Sequence, residues 1–345
     1  MIDLLILSLA VAGGLISTLI LTPYARTYLG KSGIYGVDQQ KEARPKVATS
    51  GGLAVLGGFI FITTIILGLT GLLDLYIIEP RFILAGLCSS LIIALIGFID
   101  DIHIAQDEEV NIESVPGDDL IHREGLGKAV KMLMVLPAAL PLIVVGAGTR
   151  IMNLPFIGTV DWGLLYPLVL LPVGMLFVSN VVNMLEGMNG LGAAMSSITA
   201  FTLGVYSLMN GQIGAAVLAF ALGGSLLGFL RYNFYPASIL PGDSLTYLCG
   251  AVLFAVIVLG NIEKFAIPVF TLYFVEFLLK ARNKFDAHSW GLLNNDGTLT
   301  PQHEKNYSLT HPLMRRGFTE PGITVALSAV HLVICIGSLI LFAFF

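Results

Sequence analysis

Asp100 and Asp101 stand side by side where an apolar run ends, in Gly97-Phe-Ile-Asp-Asp101. Two adjacent carboxylates at a helix C-terminus are poorly placed, because the macrodipole there favours cations. They need a metal, a lysine or a proton. The acids that follow (Asp107, Glu108, Glu109, Glu113, Asp118 and Asp119) read as a solvated loop. A second run, Asn180-Val-Val-Asn183-Met-Leu-Glu186-Gly-Met-Asn189-Gly-Leu-Gly192, repeats a polar side chain every third residue. On an α-helix such a stripe drifts about 60° per step, but it lines up in a 3₁₀ or fraying segment. Asn and Glu are not what helix packing in a membrane favours, so this stripe points to a site. In a third segment, Asn233 leads to Pro241-Gly242-Asp243-Ser244 ahead of an apolar run, which puts Asp243 near a helix N-cap. Asp is an ordinary cap. A carboxylate at a helix N-terminus can also cradle a Mg²⁺–phosphate group. Lys128 and Lys131 open one apolar block and Arg282 and Lys284 follow another, where interfacial snorkelling is the default role. His288, His303 and His311 lack the close spacing of zinc ligands. Scattered Asp, Asn and Lys of this kind suit metal-assisted chemistry on a phosphate, which depends on positioning and charge neutralisation.

The elements that must position these residues are membrane helices. Of the 345 residues, 56% are hydrophobic and 12% charged, against about 25% charged in soluble domains. The apolar residues come in blocks without polar faces: 2–21, 53–73, 82–99, 130–145, 164–178, 191–208, 213–230, 245–259, 265–279 and 323–345. A span takes about 20 apolar residues. The expectation is an all-α, polytopic integral membrane protein of about ten spans, one domain over residues 1–345.

Lys and Arg set the orientation. With the amino terminus outside, 15 of the 18 basic residues fall in cytoplasmic loops, leaving Arg81, Arg150 and Lys264 outside. That bias follows the positive-inside rule and places both termini away from the cytoplasm. The chemistry-bearing residues then gather in the cytoplasmic connections 23–50, 100–127, 179–190, 231–244 and 282–321, and the outer connections read as short and featureless. The first block lacks a basic leader region and reads as span 1, not a cleaved signal. Cys88, Cys249 and Cys335 lie in apolar blocks and read as small buried hydrophobes. Glu276 is the nearest thing to an intramembrane charge, with Lys280 placed to pair with it. Nothing points to a nucleic-acid partner.

Rival classes are a secondary transporter and a Mg²⁺-dependent lipid-phosphate hydrolase. A transporter should show internal repeats and midplane charges, and neither is evident. A hydrolase would use similar ligands with water as nucleophile, so dependence on a lipid acceptor separates it.

Four motifs in order, Ser50-Gly-Gly-Leu53, Asp100-Asp101, Asn180 to Gly190, and Asn233 to Asp243, resemble the polyprenyl-phosphate N-acetylhexosamine-1-phosphate transferases over nearly the whole chain. Asn189-Gly190 is similar to the archaeal and eukaryotic dolichyl-phosphate branch, as is Gly33-Ile-Tyr-Gly-Val-Asp38-Gln-Gln-Lys41; the bacterial phospho-MurNAc-pentapeptide transferases carry Asp-Gly at the former place. The resemblance implies that Asp100 and Asp101 belong to the reaction centre or its immediate support. It implies that Asp243, with Asn183 beside it, ligates Mg²⁺ or, in its place, Mn²⁺. Glu186 and Asn189 would lie near the nucleotide and Lys131 near the phosphates. Arg282, Lys284 and His288 would face the sugar and diphosphate, although the last loop reads Asp286-Ala-His288-Ser-Trp290-Gly in place of the family's histidine motifs. Asn180, Asn233 and Lys46 complete the candidate substrate-binding set. The implied reaction moves an N-acetylhexosamine 1-phosphate, GlcNAc by branch, from a UDP-sugar to a polyprenyl or dolichyl phosphate. A homodimer is compatible with the resemblance. The archaeal-type motifs, without a retention signal, favour the plasma membrane over the endoplasmic reticulum.

Overall fold

The computed structural model describes residues 2–75, 77–110, 128–154 and 157–343. The side chains of Asp107, Glu108, Glu109 and Lys128, and the rest of the acidic run, Glu113 to Asp119, lie outside what is described. Among the described residues, eight helices are long and apolar enough to cross a membrane. They are α1 (Ile2–Lys31), α2 (Gly52–Leu72), α3 (Pro80–Val110, apolar through Ile102), α6 (Leu171–Met184, extended back to Tyr166 by a π turn), α7 (Leu191–Met209), α8 (Ile213–Asn233), α9 (Gly242–Gly260) and α13 (Glu320–Ala343). Helix α9 is the axis: 83% of its apolar window is buried, against 22% for α1 and α13. It packs chiefly on α3 and α6, while α8 lies between α1 and α7.

Two expected spans are broken. The block at 130–145 is interrupted by Pro137 and Pro141 into α4 (Lys128–Leu133), a 3₁₀ turn and α5 (Leu140–Val144). The block at 265–279 carries Pro268 and divides into α10 (Glu263–Val269) and α11 (Thr271–Ala281). Proline removes an amide donor and clashes with the preceding turn, which uniform hydropathy does not reveal.

Short antiparallel hairpins occupy three connections. Strands β1 (Tyr35–Val37) and β2 (Lys46–Ala48) pair with Tyr35 opposite Ala48. Strands β3 (Ile151–Leu154) and β4 (Gly158–Asp161) fill the α5–α6 connection, which the sequence suggested was featureless. Strands β5 (Gly291–Leu293) and β6 (Leu299–Pro301) stand in the last loop, ahead of the one-turn helix α12 (His311–Met314).

Two local expectations are corrected. Asp100 and Asp101 do not end a helix, because α3 runs on to Val110; no Gly or Pro intervenes before Pro116. The polar stripe is not one surface either. Helix α6 stays regular through Met184, so Asn180 and Asn183 ride on it while Glu186 and Asn189 fall in the turn before α7.

Candidate active site

Three helices bring charge to one point. Lys131 of α4 lies 2.7 Å from Asp100 Oδ2 of α3 and also contacts Asp243 Oδ2 of α9. One ammonium between two carboxylates leaves the cluster net negative. Asp100 is 2% exposed, and its Oδ1 has no hydrogen-bond partner. Asn180 secures the helix that carries Lys131. Its Nδ2 donates to Leu176 O at 2.7 Å within α6 and to Met132 O of α4 at 3.3 Å.

Asp101 is committed elsewhere. Its carboxylate accepts from the Asp243 amide at 2.7 Å, the Ser244 amide at 3.2 Å and Ser50 Oγ at 2.8 Å. The first amides of a helix have no partner within it, and Pro241, at the N-cap of α9, offers no side-chain bond. Asp101 therefore caps α9 from another helix, which resolves its apparent electrostatic misplacement. Asp243 is thus not the cap; it stands in the first turn with its side chain free for Lys131. The approach requires Gly242, at φ 67°, because a Cβ there would collide with the Asp101 carboxylate. Asn183 reaches the same helix by accepting from Thr246 Oγ1 at 3.0 Å.

A cavity of about 360 Å³ opens beside Asp243 and extends past Glu186 and Asn189 to His288 and Trp290. Its outer wall is the β1–β2 loop. Gln40 Nε2 donates to Gly187 O at 2.8 Å, and its Oε1 accepts from the Gly291 amide at 3.2 Å, stitching the turn before α7 to the last loop. Asn189 is gripped on three sides. Its Nδ2 donates to Asp38 Oδ2 at 2.9 Å, its amide to Glu320 Oε1 at 2.8 Å, and its carbonyl accepts from Thr324 Oγ1 at 3.2 Å. Lys41 sits between the two acids, 2.5 Å from Glu320 Oε2 and 3.2 Å from Asp38 Oδ1, with the Tyr235 ring 4.3 Å away. Burial pushes the Glu186 carboxyl up to about 7, against the opposing pull of the Gly187 and Gly192 amides.

The last loop is held from beneath. Glu276, fully buried in α11, accepts from the Leu309 amide at 2.8 Å and Ser308 Oγ at 3.2 Å. Lys280, expected as its partner, lies 3.9 Å away and donates to Ala287 O at 2.7 Å. His311 Nδ1 accepts from the Tyr307 amide at 3.2 Å, leaving Nε2–H to donate to His288 O at 2.9 Å. Burial holds its imidazole below the ordinary histidine range.

Asp101, Asp243, Glu186, Asn189 and His288 line the cavity, and Asp100 and Lys131 adjoin it through Asp243. Lys46, Arg282 and Lys284 are exposed and do not line it. Asn233 is buried at the end of α8, donating to Ile239 O at 3.1 Å, and so shapes the turn into α9. Sequence reasoning gave no role to Asp38, Gln40, Lys41, Ser50 or Glu320. The first four lie in the motif loop ahead of α2; Glu320 stands in the first turn of α13, outside the motifs.

Among the described residues, no group of three or more His, Cys, Asp or Glu is placed to hold a metal. Two carboxylates, one with a buried oxygen that has no hydrogen-bond partner, and a nearby amide form a sparse, hard donor set. It fits a hydrated Mg²⁺ completed by phosphate oxygens, not a zinc cage.

Comparison with known proteins agrees in scope. A family model described as glycosyl transferase family 4 matches residues 83–261. A Sulfolobus acidocaldarius protein, provisionally named UDP-N-acetylglucosamine–dolichyl-phosphate N-acetylglucosaminephosphotransferase, is 31% identical over 342 residues, covering 97% of this chain and 96% of its own. Its Saccharolobus solfataricus namesake is 32% identical over 90% of this chain and 89% of its own. The phospho-N-acetylmuramoyl-pentapeptide-transferase of Clostridium beijerinckii is 29% identical over 71% of each.

Proposed function

Because the chain belongs to glycosyl transferase family 4, we propose that it moves N-acetylglucosamine 1-phosphate from UDP-N-acetylglucosamine to a polyprenyl phosphate of the dolichyl type. The products are UMP and a lipid-diphosphate-linked sugar. The observation that carries this reading is Lys131 held between Asp100 and Asp243, beside a cavity large enough for a nucleoside.

An oxygen of the acceptor phosphate attacks the β-phosphorus of the donor. The bond from that phosphorus to the bridging oxygen breaks, and UMP leaves with the oxygen and its electron pair. Both reactants are anions, so their mutual repulsion must be offset before they meet. Lys131 supplies one fixed positive charge, and Asn180 keeps its helix in place. Mg²⁺, held by Asp243 with Asn183 alongside, would supply the remaining charge neutralisation on the diphosphate. Asp101 fixes the N-terminus of α9 and so aims Asp243. The acceptor phosphate, with a second pKa near 6, is largely dianionic at neutral pH and needs no strong base. Asp100 then serves chiefly to hold Lys131.

The broken segments α4–α5 and α10–α11 complete a set of about ten crossings. With both termini outside, Asp100, Asn183, Asp243, His288 and Glu320 all come to the cytoplasmic face. That is where a soluble UDP-sugar arrives, while the isoprenoid tail lies along the apolar spans. We assign the protein to the plasma membrane on its archaeal-type motifs.

The test is nucleotide release by purified protein supplied with UDP-N-acetylglucosamine, polyprenyl phosphate and Mg²⁺. UMP should appear only when the lipid is present. UDP would mean that the sugar alone moves, and UMP without lipid would mean that water is the nucleophile; either overturns the reading.

A further inference from the structure

Asn189 is a cavity residue whose side chain has an orientation fixed by chemistry. A terminal amide can face a partner through NH₂ or through oxygen, and the two ends have similar shapes. Here the partner is Asp38 Oδ2 at 2.9 Å, a carboxylate oxygen that only accepts, so the NH₂ must face it. Asp38 is 6% exposed and is itself braced by Lys41, which also grips Glu320; Glu320 in turn receives the Asn189 main-chain amide. Backbone and side chain of Asn189 are thus set by two carboxylates that one lysine ties together. With its NH₂ taken by Asp38, Asn189 has its Oδ1 left to act as a hydrogen-bond acceptor, and the residue lines the cavity.

We propose that Asp38, braced by Lys41 and Glu320, is a positioning residue that locks the Asn189 amide in its acceptor orientation and thereby selects a nucleobase presenting an N–H over one presenting a lone pair. The inference rests on the UDP-sugar reading and deepens it. Asp243 and Asn189 line one cavity, so a donor with its diphosphate at Asp243 is placed here with its nucleoside toward Asn189. Uracil carries an imide N–H where cytosine carries an unprotonated ring nitrogen. An amide fixed as an acceptor pairs with the first and repels the second. An amide free to turn over would serve both. A site built around a required hydrogen bond rejects the unmatched partner because its own polar group is left unpaired.

The experiment is competition by UMP and by CMP against UDP-N-acetylglucosamine turnover. It compares the wild type, Asp38→Asn, and the exchanged pair Asp38→Asn with Asn189→Asp. Wild type should favour UMP. An asparagine side chain at position 38 can donate or accept, so the single variant lets Asn189 turn over. The UMP-to-CMP preference should then fall by about ten-fold or more, while the melting temperature stays near wild type. In the exchanged pair, position 189 carries a carboxylate that accepts in any orientation, so the preference should return. A merely structural role for Asp38 would weaken both nucleotides alike and leave their ratio untouched. An unchanged ratio in Asp38→Asn overturns the proposal, as does an exchanged pair that folds without regaining preference for UMP. If the single variant does not fold, the exchanged pair decides alone. Failure of UMP to compete in wild type would instead overturn the UDP-sugar reading itself.

Discussion

Replacing Asp101 by Ala should damage the fold as well as the rate. The carboxylate receives three donors: the Asp243 and Ser244 amides and the Ser50 hydroxyl. Loss of a helix cap costs about 0.5–2 kcal/mol, and each buried donor left without a partner costs about 1–3 kcal/mol. Solvent cannot easily replace a side chain that is 4% exposed. A total of about 3–5 kcal/mol is therefore expected, discounted for partial relaxation. For a large chain that corresponds to a drop of roughly 5–10 °C in melting temperature. Because Asp243 belongs to the freed turn, the Mg²⁺ concentration for half-maximal rate should rise as well. The assay is thermal unfolding in detergent, alongside a Mg²⁺ titration of UMP release. Unchanged melting and Mg²⁺ dependence, with only the maximal rate reduced, would refute the capping argument and put Asp101 among the reacting groups.

Lys131→Met leaves the Asp100 and Asp243 carboxylates facing each other without a counter-charge. Turnover should fall by at least about 100-fold at saturating Mg²⁺, whereas a rate within a few-fold of wild type would remove Lys131 from the mechanism. Glu186 titrates near 7 in the folded chain and near 4.5 when exposed. The raised value means that burial penalises the charged form, a cost absent below about pH 4.5 and fully developed above about pH 7. Glu186→Gln should therefore gain stability over wild type as pH rises through that window, by at most about 3 kcal/mol, read by thermal unfolding at pH 5 and pH 8. Glu276→Ala removes the counter-charge of buried Lys280 and strands the Leu309 amide; a loss of about 3–5 kcal/mol is expected, with earlier proteolytic cleavage of the last loop. Burial lowers the His311 pKa, so its contribution is present above its ordinary value near 6.5 and lost as pH falls. Protonation would also turn Nδ1 into a donor facing the Tyr307 N–H, so the last loop should become protease-sensitive in wild type as pH falls below the ordinary histidine range.

Much of the fold is legible because membrane helices announce themselves by composition alone. The apolar blocks at 53–73 and 245–259 became α2 and α9 with small changes at their ends. Prolines divided the blocks at 130–145 and 265–279, and hydropathy averages over that local steric event. The candidate site was partly legible, since Asp100, Asp243 and Asn189 stand in conspicuous motifs. Their partners were not. Asp101 receives its bonds from residues 142 and 143 positions away, and Asn189 donates to Glu320 131 positions on. No local pattern encodes such pairings. Asn180 and Asn183 looked equivalent in sequence, yet one ties α4 to α6 and the other reaches α9. A three-residue step on a regular helix turns successive side chains toward different neighbours.

The central claim is that the β-phosphorus of the donor moves with its sugar. Donor labelled with ³²P at that phosphorus, incubated with polyprenyl phosphate and Mg²⁺, tests it most directly. The account predicts that label enters the organic phase as a lipid diphosphate, in equal amount to the UMP left in water. Label retained in an aqueous nucleotide while sugar enters the lipid phase would contradict it.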